Sequence, residues 1–282
     1  MDDERKINGS EFEEVDRYFS KVSRSVCKIK ANSYFSSGFF LKYSIDGLIF
    51  FCLISNEHVI TEDMIKNKDN ICIYYDYEFE NIVIRLDENE RYIKSFRDIK
   101  IDATVVQILP KDKINEIYFL SPDLDYSDKN QLNGKQIYIP QYASGAELKN
   151  ARGIIKSINE DEFIHLVSTV YGSSGSPIFL KDSLKVIGIH KERDLYKEEN
   201  IGDFISPIFN IIKNEAFFKI SLDVFFEKNK YYTHKAKRRI TKEINEINKS
   251  GDNLFKVWFD LDNCFSSIKG PIGSPYEGVY LN

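Results

Sequence analysis

Three short segments carry side chains able to cooperate in acyl transfer, in the order His, Asp, Ser. In Leu53-Ile54-Ser55-Asn56-Glu57-His58-Val59-Ile60 an apolar run gives out into a polar turn that holds a histidine. In Asp98-Ile99-Lys100-Ile101-Asp102-Ala103-Thr104-Val105-Val106 an aspartate sits just ahead of an apolar strand. In Tyr171-Gly172-Ser173-Ser174-Gly175-Ser176-Pro177-Ile178 glycines flank a serine, and another strand follows. A serine hydroxyl becomes a useful nucleophile when an imidazole takes its proton during attack. The imidazole in turn needs a carboxylate to fix its tautomer and to stabilise the imidazolium. The oxyanion that forms needs two backbone N–H groups aimed at one point. A Gly-x-Ser-Gly turn can supply them, because glycine accepts backbone angles that other residues avoid. The expected roles are Ser174 as nucleophile, His58 as general base, Asp102 as the orienting acid, and the N–H groups of Gly172 and Ser174 as oxyanion donors. Asp98 is the alternative to Asp102. Asp102 is preferred because it abuts the apolar strand that would bury it.

Taken singly, each residue has a plainer reading. His58 could be a turn histidine without a role, and Ser174 part of an ordinary Gly/Ser loop. No Gly-Lys-Ser/Thr follows, which removes a nucleotide P-loop. Cys52 lies within Phe50-Phe51-Cys52-Leu53 and reads as a buried, inert thiol. His165 lies in an apolar strand and reads as structural. Only the three motifs together satisfy the chemistry.

The elements that must position these groups are short strands. Val26–Ala31, Ser37–Tyr43, Leu48–Ile54, Ile71–Tyr77, Ile82–Leu86 and Ala103–Leu109 form a first series, with Asp46-Gly47 as a hairpin turn. No helical stretch of a dozen residues interrupts it, so a barrel or sandwich is expected in place of a parallel α/β sheet. A polar connection, Lys111–Asn133, leads to a second series: Gln136–Tyr142, Ala151–Ile158, Phe163–Ser168, Ser176–Leu180 and Lys185–His190, with Asp203–Pro207 as a further candidate. Ser10 followed by Glu13 reads as a capping box opening a helix up to Arg24. Ile208–Lys219 is a second candidate helix.

These segments resemble the chymotrypsin-like peptidase clan, closest to its disulfide-poor branch of glutamyl endopeptidases and high-temperature-requirement proteases. Ser55–Ile60 is similar to that branch's TNxHVI segment, Asp102-Ala103 to its DxA segment, Gly172–Pro177 to GxSGSP, and Val186–His190 to the VxGIH strand. The likeness spans about Val26 to Asn210. It implies an all-β core of two six-stranded chymotrypsin-like β-barrels, with an N-terminal helix and a partly helical C-terminal extension. It also implies a specificity pocket built on Thr169 and His190, whose hydroxyl and imidazole donors suit the oxygen of Glu or Gln before the scissile bond. The strand continues as Lys191-Glu192-Arg193-Asp194 where relatives carry small residues, so a charged, bulky cleft wall is expected. Ser173 precedes the nucleophile where activation by an inserted N-terminus would need an aspartate, so that route is not expected.

The resulting division is 1–24 as a helical segment, 25–115 as the first barrel with His58 and Asp102, 116–215 as the second barrel with Ser174 and the pocket, and 216–282 as an extension without an assigned role. A net charge of -5 argues against nucleic acid as a partner. The charged start lacks an apolar h-region, and the longest apolar run, Leu48–Ile54, is too short to span a bilayer. Four cysteines, Cys27, Cys52, Cys72 and Cys264, form no CxxC pair and no metal-ligand spacing, so neither metal nor cofactor is expected. They read as reduced thiols of an intracellular, cytoplasmic protein, with one or two disulfides after unconventional export as the alternative. The expected activity is a serine endopeptidase that cuts a protein or peptide substrate selectively. A regulatory or recruiting partner would bind the 216–282 extension. Basic residues around His234 are either a solvated face or a site for an anionic partner. A peptide-binding module without turnover and an esterase using the same triad are the rival functions.

Overall fold

The computed structural model describes residues 22–213, apart from 32–33, 46–47, 77–78, 125–127, 182, 184 and 195–198. The capping box at Ser10, the Asp46-Gly47 turn, His234, Cys264 and the 216–282 extension therefore lie outside the described residues.

Seven strands build the first sheet: β1 (Val26–Ala31), β2 (Tyr34–Ile45), β3 (Leu48–Ser55), β4 (Asn70–Tyr75), β5 (Glu80–Arg85), β6 (Ile93–Ser95) and β7 (Thr104–Gln107). Their spatial order is β5-β4-β1-β2-β3-β7-β6, and every pairing is antiparallel. Alternate residues of β4 turn inward, as its sequence alternation requires. Ile29, Phe40, Leu53, Ile71, Ile73, Val106 and Phe119 fill the interior. A one-turn helix, α1 (Glu62–Asn67), follows the His58 turn and is capped by the Thr61 hydroxyl.

The second sheet uses β8 (Ser121–Pro122), β9 (Gln136–Gln141), β10 (Lys149–Asn159), β11 (Glu162–His165), β12 (Pro177–Leu180), β13 (Lys185–Asp194) and β14 (Glu199–Phe204). The order is β12-β9-β10-β11-β14-β13-β8, and β12 also pairs with β13. That extra ladder closes six strands into a barrel, with β8 added in parallel outside it. Ile137, Ile139, Ile155, Phe163, Ile178, Ile187 and Phe204 form its core. The fold is thus the expected mostly-β, two-sheet chymotrypsin-like one. The first sheet differs in detail from a six-stranded barrel: it has seven strands and curls without a closing ladder, leaving β5 and β6 as its edges.

The polar connection between the sheets is pinned to both. Leu120 exchanges backbone hydrogen bonds with β2, to Phe40 O at 3.0 Å and from Lys42 N at 2.8 Å, and Asp123 N donates to Val186 O at 2.7 Å. The last strand ends at Phe204, not Pro207, and residues 206–213 are helical. Pro207 suits the first turn of a helix, where a missing N–H costs nothing.

Candidate active site

The His58 turn is anchored on both sides. Before it, the buried Ser55 hydroxyl donates to Ser37 O at 2.8 Å. Asn56 O then accepts from Val59 N at 3.2 Å and Ile60 N at 3.0 Å, which closes the turn. Val59 and Ile60 sink into the first core, and Thr104 Oγ1 donates to Ile60 O at 2.7 Å. The ring of His58 is left half exposed between these anchors.

Asp102 reaches that ring from the lead-in to β7, between buried Ile101 and Ala103. Its Oδ2 lies 2.6 Å from His58 Nδ1, while Oδ1 accepts from the backbone N–H groups of Glu57 at 2.8 Å and His58 at 3.1 Å. The Asn56 amide donates to Asp102 O at 2.6 Å. Asp98, the alternative, is exposed in the 3-10 turn Arg97–Ile99. The carboxylate beside His58 is therefore that of Asp102.

Ser174 occupies a turn that depends on two glycines with positive φ, Gly172 at 89° and Gly175 at 85°. A Cβ on Gly175 would lie 2.1 Å from Ser37 O and 2.4 Å from Ser55 Oγ, so the turn also needs the space. Ser37 joins the Ser174 turn to the end of β3. Its N–H donates to Ser174 O at 3.0 Å, and its hydroxyl donates to Gly172 O at 2.9 Å while accepting from Tyr142 N at 2.9 Å. Tyr171 O accepts from Ser144 N at 2.6 Å. A trans peptide sets its N–H opposite its C=O, so this bond turns the Gly172 N–H the other way. Among the described residues neither that N–H nor that of Ser174 finds an acceptor. No hydrogen bond joins the Ser174 hydroxyl to the His58 ring among the described residues, a contact that commonly tightens only when substrate binds. Ser173, at the position of the inserted-terminus aspartate, closes the turn locally by accepting from Val170 N at 3.1 Å through its hydroxyl.

Behind Ser174 lie Thr169 and His190, both buried. The Thr169 hydroxyl donates to Asn200 Oδ1 at 2.5 Å, and the same amide donates to Val167 O at 2.7 Å. His190 Nδ1 lies 3.2 Å from His165 Nε2, and His165 Nδ1 accepts from Val167 N at 3.3 Å. The strand of His190 is held to the nucleophile turn by Gly175 N donating to His190 O at 3.0 Å and His190 N donating to Ser176 O at 2.8 Å.

Residues 36–189, more than half of the chain, match the trypsin-like peptidase domain. The chain belongs to that family. It is a serine endopeptidase of chymotrypsin-like fold. A Glu endopeptidase solved in complex with MPD is similar at a TM-score of 0.53 and 16% identity, over 70% of this chain and 93% of that one. A serine endoprotease from Yersinia pestis gives 0.52 at 11% identity, over 70% and 65% of the two chains. The active form of the M. tuberculosis protease Rv3671c gives 0.50 at 12% identity, over 69% and 82%. At such identities the likeness is one of fold. No curated protein matches the chain.

The charges in this peptidase are arranged around His58. Burial works to lower the imidazole, but the hydrogen bond and charge of Asp102, followed by Glu192 and Glu57, outweigh it and raise the ring above its ordinary 6.5. Burial likewise works to raise the Asp102 carboxyl. The His58 hydrogen bond and charge and the two backbone N–H groups prevail and hold it below 3.8. Burial pushes His190 down to about 4, helped by the charge of His58 and opposed by the Ile201 carbonyl. It pushes His165 down to about 3, with His190 adding to the effect. Both buried histidines are therefore neutral at pH 7. Cys27, Cys52 and Cys72 are free thiols, and burial pushes the first two far above the usual range. Cys52 donates to Leu41 O at 3.4 Å and takes no part in the site.

One expectation changes, and three residues gain partners that the sequence did not show. His165, read as structural, is the direct partner of His190. Lys191 does not wall the cleft: its ammonium turns inward to Glu162 and Asp203, which leaves Glu192 and Arg193 as the exposed charges of that strand. Ser37 and Asp203 had no assigned role in the sequence, where a lone Ser in a strand and a lone Asp near a strand end carry no motif. Among the described residues no helix is long and apolar enough to cross a membrane.

Proposed function

We propose that this peptidase cuts peptide bonds with Ser174 as nucleophile, His58 as general base and Asp102 as the carboxylate that orients it. The observation that carries the reading is the Asp102 carboxylate, with one oxygen 2.6 Å from His58 Nδ1 and the other on two backbone N–H groups. That arrangement keeps a proton on Nδ1 and leaves Nε2 free to take the one on Ser174 Oγ as the hydroxyl attacks the scissile carbonyl. The carbonyl oxygen, now an oxyanion, is received by the N–H groups of Gly172 and Ser174, each worth about 10²–10³ in rate by analogy with other such donors. Collapse expels the amine, which takes the proton from His58, and leaves an acyl group on Ser174. Water then attacks by the same route and frees the enzyme.

The reading of specificity is a preference for Gln, then Glu, before the scissile bond. The Thr169 proton is committed to Asn200, so its oxygen is left as an acceptor. Val167 N–H occupies the lone pair of His165 Nδ1, so neutral His165 carries its proton on Nε2 and gives it to His190 Nδ1. With its Nδ1 accepting from His165, neutral His190 would carry its own proton on Nε2, and a substrate oxygen would compete for it with any bond to the Ile201 carbonyl. An amide, with one acceptor oxygen and one donor nitrogen, complements a donor beside an acceptor. A carboxylate would meet only one donor and no cation. In biology the reading is limited proteolysis of an intracellular partner, with residues 216–282 recruiting it.

A fluorophosphonate probe tests the triad: it labels the wild-type chain and not Ser174→Ala. Absence of labelling in the wild type sinks the reading. Mass-spectrometric mapping of cuts in a peptide library tests the pocket, and cuts spread without regard to Gln or Glu overturn it.

A further inference from the structure

On that reading of the triad, a second carboxylate stands directly behind Asp102. Asp203 of β14 is wholly inaccessible and pairs with Glu162 on one side and Ile189 on the other. Its Oδ2 accepts the Asp102 backbone N–H at 2.8 Å. Its Oδ1 has no hydrogen bond among the described residues and faces Lys191 Nζ at 3.7 Å. Lys191, the residue after His190, donates to Glu162 Oε1.

This arrangement costs more than a plain fold needs. One backbone N–H can be satisfied by an asparagine, a serine or a main-chain carbonyl, without burying a charge and its counter-ion. What the carboxylate does is local to Asp102. The N–H of that residue is held by Asp203 from the second sheet, and its C=O by the Asn56 amide from the His58 turn. With both ends of the residue held, its Cα–Cβ bond is fixed where one staggered rotamer meets His58 Nδ1 and the N–H groups of Glu57 and His58. The clamp also crosses the boundary between the sheets, so the orienting acid, from the first sheet, is registered on strands that carry the pocket, from the second. We propose that Asp203 is a positioning residue for Asp102, with Lys191 as its counter-ion, and that together they align the Asp102–His58 pair.

The test uses the full chain. Asp203→Ala is compared with Asp203→Asn, which keeps an acceptor oxygen, on kcat and KM for a cleaved peptide and on the downfield proton resonance of the His58 Nδ1–H. Asp203→Ala is expected to lower kcat about tenfold or more, with KM within about twofold, and to move or broaden that resonance. Asp203→Asn is expected to recover most of the rate. Should Asp203→Ala fail to fold, Lys191→Met decides. It leaves Asp203 without its counter-ion and should lower kcat, and adding Asp203→Asn to it should restore activity to the level of Asp203→Asn alone. An unchanged rate and resonance in Asp203→Ala, equal losses in the Ala and Asn variants, or purely additive losses in the cycle overturn the proposal. Labelling that survives Ser174→Ala sinks the triad reading instead, so the two failures are distinct.

Discussion

Replacing Asp203 by asparagine should change how stability depends on pH by an amount the structure sets. Burial raises this carboxyl from 3.8 to about 7, with Lys191 and the Asp102 N–H pulling the other way and Glu162 and Asp102 adding to the rise. In the unfolded chain the group ionises near 3.8, so between that pH and about 7 the folded state holds more protons than the unfolded one. Stability from this residue is therefore fully present below pH 3.8 and is lost as pH rises through about 7. Three units at about 1.36 kcal/mol each come to about 4 kcal/mol. Asparagine accepts the same hydrogen bond and does not titrate. The stability of Asp203→Asn relative to the parent should then climb by about 4 kcal/mol between pH 4 and pH 8. Both chains would carry Ser174→Ala to prevent self-digestion, and unfolding free energies would come from denaturant titrations at each pH. Parallel pH profiles for the two chains, or a relative loss in the asparagine chain as pH rises, would refute the reasoning, since either means that the buried carboxylate is not penalised for ionising.

Ser37→Ala removes the hydroxyl that holds Gly172 O and accepts from the Tyr142 N–H. A loss of about 1–3 kcal/mol in stability is expected, together with a fall in kcat, because the Gly172 peptide loses a tether; denaturant midpoints and peptide turnover read both. The acid limb of kcat/KM should lie above the ordinary imidazole value, because His58 must be neutral to accept the Ser174 proton and its neighbours favour the charged form. Glu192→Gln deletes one of those neighbours and should move the limb to lower pH at low salt, with the difference shrinking at high salt; a limb that does not move removes Glu192 from the account. His165→Leu should leave cleavage after small residues intact and weaken the preference for Gln about tenfold or less, the worth of one neutral hydrogen bond, in competition assays with paired peptides.

Much of this protein is local chemistry, and local chemistry can be read along the chain. A turn holding His58 after an apolar strand, an aspartate at the start of another, and a serine between two glycines announce themselves by their neighbours. β1 has the bounds its sequence suggests, and β3 and β9 differ from theirs by a single residue, because each is a largely apolar run of six to eight residues. β6 and β8 have three and two residues, too few for any period to show, and they exist only because a neighbouring strand supplies the ladder.

The rest required residues far apart to meet. Asp102 is separated from Asp98 as the partner of His58 by burial and direction, which no spacing encodes. Ser37 lies 135 positions from Gly172, and Asp203 lies 101 positions from Asp102, so their bonds form only where the two sheets come together. The amino-acid sequence alone determines which groups can do the chemistry of acyl transfer and which strands carry them. The tertiary structure decides which carboxylate faces the imidazole, that the Thr169 hydroxyl meets Asn200, that His165 meets His190, and that a buried acid stands behind Asp102. Hydrogen bonds and burial between strands distant in the chain are set by packing, and packing is a property of the whole fold.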